Sequence, residues 1–218
     1  MTQAPGRAER RARSTGPELR RRLPRLLLGL GLCGLGIALM VAAELGLGPW
    51  DVLHQGLSNL TGVPIGTMSI AVGAGVLLLW IPLLERPGIG TVLNVLVIGV
   101  VIDLALWVLP TPELLAARIP MMLAGPLLFA IGSGFYLGVG LGSGPRDGVM
   151  TGLARRGWPV GIARATIEFT ALGLGWVLGG TVGAGTVVFA VTIGPLVHVC
   201  LPWLAMATPT PPGARSAR

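Results

Sequence analysis

Apolar windows bounded by proline, glycine or charge recur six times along the chain, at about 26–46, 65–84, 89–109, 119–141, 160–178 and 184–205. Charge is absent from 26–43, 52–84, 119–145 and 169–214, and apolar runs of about 18 or more residues are long enough to cross a bilayer as helices. The pattern predicts an all-α fold, a polytopic membrane protein with six transmembrane helices. A cleaved signal peptide over 20–45 does not fit. The stretch is long for a signal's apolar region, no clean small-residue cleavage site follows it, and more spans come after.

The chain is also self-similar. Gly46-Leu-Gly-Pro-Trp-Asp51 recurs as Gly142-Ser-Gly-Pro-Arg-Asp147 at an offset of 96. Pro64-Ile-Gly66 matches Pro159-Val-Gly161 at 95, Gly88-Ile-Gly-Thr-Val92 matches Gly183-Ala-Gly-Thr-Val187, and Ile98-Gly99 matches Ile193-Gly194. Each unit has three spans, so the second copy must enter the membrane upside down, as in the inverted-topology repeats of many secondary transporters. The expected division is a tail (1–25), a first repeat (26–110), a second repeat (119–206) and a C-terminal tail (207–218).

Charge sets the orientation. Residues 1–25 hold eight of the sixteen arginines and two of the nine acids, which predicts a disordered basic tail. Counted with an inside N-terminus, inner segments carry fourteen arginines (eight in the tail, Arg86, Arg146, Arg155, Arg156, Arg215, Arg218), while outer segments carry Arg118 alone. That asymmetry predicts both termini on the cytoplasmic side. Beside a hydrophobic span, a basic tail points to anionic lipid headgroups rather than nucleic acid. The absence of lysine suggests a GC-rich bacterial genome, hence a bacterial plasma membrane. The chain is 52% apolar and 11% charged with mean hydropathy +0.78, against about 25% charged for soluble domains. Cys33 and Cys200 sit in apolar runs without metal or redox spacing and read as small core residues.

The paired Gly-x-Gly-Pro-x-Asp motifs are the first candidate site, comprising Gly48, Pro49, Asp51 and His54 with Gly144, Pro145 and Asp147. Proline in the first turn and an acid facing the helix dipole are what a helix start prefers, so short helices are expected over about 50–60 and 146–156. In the first, Trp50, Leu53, Leu57 and Leu60 share a face. Each short helix is then either an amphipathic helix at headgroup level capped by its own Asp, or a re-entrant half-helix whose polar face reaches a pathway. Arg155 and Arg156 read as inner-surface charges.

Ionisable residues inside spans are costly and point to function. Asp103 and its repeat mate His198 fall some 6 Å on opposite sides of the midplane, by about 1.5 Å rise per residue. Asp103 is expected to couple an ion, because an unpaired buried carboxylate has no structural reason. His198 is either a buried imidazole or part of the same path. Arg164 and Glu168 are spaced i, i+4 and form either a structural ion pair or a proton-exchanging carboxylate tuned by its neighbour. Glu44 can snorkel to the interface, and Asn94 can bond across helices.

The run from Gly46 to Asp103, with GLGPWDVLHQGLSNLTG, IGT at 65–67 and GIGTVLNVLVIGVVIDL, resembles the bacterial YczE/YyaS/YitT-type membrane proteins. The resemblance covers about 26–205 and is weaker in the second copy, where Arg146 replaces Trp, Phe189 replaces Asn94 and His198 replaces Asp103. It implies a multi-pass protein of the bacterial plasma membrane and assigns no reaction. No HExxH, Walker loop, GxSxG or Cys/His cluster occurs, so neither catalysis nor a metal or other cofactor is expected. The leading expectation is a small secondary transporter or permease for an unidentified solute or ion. Six short spans enclose little volume, which suits a homodimer. The competing expectation is a non-transporting accessory protein that scaffolds a membrane partner.

Overall fold

A computed structural model describes residues 16–206. The order is α1 (Gly16–Ala43), α2 (Pro49–Thr61), α3 (Ile65–Leu78), α4 (Trp80–Leu83), α5 (Ile89–Val108), α6 (Leu115–Gly138), α7 (Pro145–Ala154), α8 (Val160–Val177) and α9 (Ala184–Leu204). No strand occurs among the described residues. Six segments are long and apolar enough to span a membrane, α3 and α4 together making one, Ile65–Leu83. Helix α1 begins at Gly16, so 16–25 of the segment expected to be disordered is helical, while 1–15 and 207–218 lie outside the described residues. Helix α7 ends at Ala154, short of the expected 156.

Helices α1 and α6 cross antiparallel at the centre. A Cβ on Gly29 would lie 2.7 Å from the Gly132 carbonyl oxygen, and one on Gly36 would lie 2.6 Å from that of Gly125. The Cys33 thiol, fully buried between these contacts, donates to the Phe129 carbonyl at 3.6 Å. Glycine contacts let backbones approach closely enough for dispersion to hold helices where no hydrophobic force separates them from lipid. Gly132→Ala is therefore expected to cost about 1–3 kcal/mol by overpacking, read as a lower melting temperature of the purified protein. A loss within error would mean the crossing tolerates a wider spacing.

Helices α5 and α9 flank this pair, α5 on α1 and α9 on α6, which makes a four-helix scaffold. The second group comprises α2, α3, α4, α7 and α8. Helix α2 lies across the end of α8, Gly56 against Gly175 and Leu178, tied by Asn59 Nδ2 to the Gly179 carbonyl (3.0 Å) and by the Thr181 N–H to Gln55 Oε1 (2.6 Å). Helix α7 lies on α3 and α4, Gly152 against Leu83, tied by the Trp80 indole N–H to the Pro145 carbonyl (2.7 Å) and by Arg155 to Glu85 (3.2 Å).

Two loops cross between the copies. The Gly185 N–H donates to the Leu45 carbonyl at 2.7 Å, and the Gly90 N–H to that of Leu141 at 3.0 Å. At the same helix starts, the Gly183 and Gly88 N–H groups donate to the buried hydroxyls of Thr186 and Thr91, each at 3.2 Å. Gly46 (φ 111) and Gly142 (φ 142) hold left-handed backbone against those threonines, where a side chain would be both strained and crowded. Each copy's first loop thus seats on the third span of the other.

One break in the matching concerns α3 and α8. Helix α3 packs along α5, whereas α8 and α9 barely touch. A Cβ on Gly66 or Gly99 would strike the other's carbonyl oxygen, yet Gly161 and Gly194, at the matching positions, have nothing within 4 Å.

Candidate functional site

The gap between α8 and α9 opens a cavity of about 570 Å³ among α2, α3, α5, α6, α7, α8 and α9, within the about 300–1,000 Å³ usual for small-molecule sites. Both sequence motifs reach it. Pro49, Asp51 and His54 line it from the start of α2, and Gly144, Pro145 and Asp147 from the start of α7. Gly48 sits just behind, its backbone against the Phe189 ring that forms part of the wall. Both helices start on proline after an extended glycine, so their positive ends face the cavity.

The two aspartates act differently. Asp147 Oδ2 accepts from the Gly144 N–H at 3.1 Å and closes the first turn of α7. Helix α2 has no side-chain cap; Asp51 instead turns to His54 Nδ1 at 3.4 Å, both buried. Of the two forms expected, the helix capped by its own Asp is found at α7 and not at α2. Asp51, Val52, His54 and Gly56 face the protein interior, while Leu60 is 69% exposed. The helix crosses the far end of α8 rather than descending beside it.

Arg164 and Glu168 line the same cavity, but no direct ion pair joins them. Asp103 lies outside it. Its Oδ1 accepts from the Gly66 N–H (2.7 Å), and its Oδ2 from the Thr67 N–H (2.8 Å) and hydroxyl (2.7 Å). The carboxylate has three donors and caps α3, so the premise that it is unpaired does not hold. His198 is exposed on α9, outside the cavity lining, which corrects the expectation of a buried imidazole. Asp103→Asn is expected to cost about 0.5–2 kcal/mol, the usual worth of a cap, and to speed amide exchange at Gly66 and Thr67. Unchanged exchange there would show the carboxylate is not what holds α3 to α5.

Sequence reasoning also placed Arg146 wrongly. Counted as an inner-surface charge, it instead points inward, its guanidinium 5.7 Å from the centre of the Phe129 ring. Phe129 lies at the α1–α6 crossing beside Cys33, which places this charge at mid-bundle. Glu168, Asp147 and Asp51, in that order, act on it electrostatically. The available signal was its place in the repeat: it occupies the motif position held by Trp50 in the first copy. Trp50 also lines the cavity, and its buried indole nitrogen has no hydrogen-bond partner among the described residues.

Comparison with known proteins agrees with the earlier resemblance. Residues 20–202 match the model of a family of unknown function, DUF6198. An uncharacterized protein of Haemophilus influenzae is 40% identical over 177 residues, 81% of each chain. YczE of Bacillus subtilis, an uncharacterized membrane protein, is 35% identical over 80% of this chain and 82% of its own. YyaS of the same organism is 27% identical over 80% and 90%. No solved structure matches significantly.

Proposed function

Since the chain belongs to the family of unknown function DUF6198, we propose its function from its geometry: a small secondary transporter of the bacterial plasma membrane. In this reading it consists of two inverted three-span repeats, with the pathway at their interface and both termini in the cytoplasm. One observation carries the reading. Gly66 and Gly99 meet, while their repeat mates Gly161 and Gly194 stand apart with open space at each. Glycine inside a helix costs about 0.5–1 kcal/mol relative to alanine. Gly31, Gly75 and Gly173 are open too, but this pair alone mirrors a contacted pair, which supports a second arrangement in which it is used. There, α8 closes on α9 while α3 parts from α5.

Positive-inside charge orients the cycle. Removing inward-pointing Arg146 from fourteen leaves thirteen inner arginines against Arg118, so the sign stands. The gap between the start of α8 and the end of α9 then opens to the cytoplasm, and the α3–α5 contact closes the outside. Asp103 acts as the outer latch. A protonated carboxyl accepts less well from three donors, so protonation would loosen the latch and couple a proton to opening. Glu168 is the second coupling group, in the pathway itself. The second copy has His198 and Ile162 where the first has Asp103 and Thr67, so the inner gate lacks this latch.

Cysteine accessibility tests the reading, in the full chain with Cys33 and Cys200 replaced. Ala165→Cys and Val197→Cys, at the cavity mouth, should react with a membrane-impermeant thiol reagent from the cytoplasmic side. Ile65→Cys, buried here at the start of α3, should react from outside only when the protein leaves this conformation. If cavity positions react from neither side, there is no aqueous path, and the accessory reading takes its place.

A further inference from the structure

We propose that the cavity binds a small organic zwitterion, its anionic group held by Arg146 and Trp50 and its cationic group by Glu168. The inference rests on the transport reading only for what happens after binding.

The argument is one of unmet partners. Positions 50 and 146 correspond in the repeat, and each brings N–H donors to the cavity. The Trp50 indole N–H is buried without an acceptor. Arg146 rests on an aromatic face, with no hydrogen bond or direct ion pair among the described residues. The Trp50 N–H, buried and unmet, costs about 1–3 kcal/mol, and the half-buried Arg146 guanidinium is uncommitted, so the site favours a ligand that brings an acceptor. The starts of α2 and α7, which both line the cavity, add positive potential to it. Together these specify an anionic group such as a carboxylate, which the flat guanidinium can bind through two nitrogens.

An anion alone leaves the rest unbalanced. The lining carries three carboxylates, Asp51, Asp147 and Glu168, against the two guanidinium groups of Arg146 and Arg164. Asp51 is engaged by His54 and Asp147 by the Gly144 N–H, whereas Glu168 has no donor among the described residues. Glu168 also acts electrostatically on Arg146 from across the same cavity, without touching it. A solute with an ammonium at one end and a carboxylate at the other bridges that gap and satisfies both. Ile98, Tyr136, Phe189 and Leu172 offer its body an apolar wall.

The test uses the purified full-length protein in lipid nanodiscs. Its melting temperature is measured with each of the twenty amino acids and, for any that raises it, with the matching amine (no carboxylate) and the matching deaminated acid (no ammonium). The expected result is that at least one amino acid stabilises the protein and that loss of either charged group weakens binding by about tenfold or more. Arg146→Gln should make the amine bind as well as the amino acid, and Glu168→Gln should do the same for the acid. Arg146→Lys, which keeps the charge without the fork, covers the case in which Arg146→Gln does not fold. An amine binding wild type as tightly as the amino acid would make this a cation site, equal binding of the acid an anion site, and silence from all twenty would exclude the class; each overturns the proposal. Amino-acid binding without exchange in proteoliposomes would leave this site standing and remove the transport reading. Exchange of the amine alone would do the reverse.

Discussion

A chain carrying both Gly161→Leu and Gly194→Leu is expected to melt higher than wild type and to lose its second conformation entirely. In the arrangement described, a Cβ on either glycine would meet nothing within 4 Å, and both glycines line the cavity, so a larger side chain has open space to enter. Each replacement relieves a helical glycine, worth about 0.5–1 kcal/mol. In the proposed closed arrangement the same side chains would fall in a contact between α8 and α9 like that of Gly66 with Gly99, where even a Cβ strikes a carbonyl oxygen. Spin labels at 165 and 197 provide the readout. Wild type should show a long and a short distance by pulsed electron resonance, and the double leucine variant only the long one. A short population that survives the leucines would mean the two helices close by another route. A lower melting point would mean the glycines already meet something.

Trp80→Ala is expected to give the largest single loss of stability, about 3–5 kcal/mol for an aromatic truncated in a well-filled site. Trp80 is 3% exposed, and its ring covers Gly148 so closely that a Cβ there would overlap it. Truncation leaves a void under α7 and strips the Pro145 carbonyl of its donor. Because Arg146 and Asp147 follow Pro145 directly, binding in the cavity should fall with stability, whereas Trp80→Phe should restore filling but not the hydrogen bond. Reversible unfolding in mixed micelles gives the stability change. A cost below about 1 kcal/mol, the scale of a surface change, would mean that Arg155–Glu85 and the chain ends hold α7 unaided.

Much of the molecule could be read from its residues. The six spans followed from apolar run length, since a bilayer leaves backbone groups no partner outside a helix. The two proline-started helices followed from Gly48-Pro49 and Gly144-Pro145, because proline in the first turn is a local preference needing no distant partner. The crossing of α1 and α6 was only half visible. Small residues such as Gly36 and Gly132 permit close packing anywhere in a span, and nothing local says that Gly36 meets Gly125 while Gly132 meets Gly29.

Where composition and proximity disagreed, the sequence misled. Arg146 was grouped with Arg155 and Arg156 by nearness along the chain. Helix α7 instead starts at the cavity and ends at Glu85, so arginines one helix apart face opposite surroundings. Asp103 looked unpaired because its donors, Gly66 and Thr67, lie 37 and 36 residues away. Periodicity and composition report which solvent a segment prefers, and that determined the class, the spans and the repeat. Which side chains meet depends on contacts between segments that such a code does not record. For this protein the deciding fact is of that second kind: two nearly identical glycine pairs, one closed and one open. Only the tertiary structure distinguishes them, because the same local sequence is compatible with either.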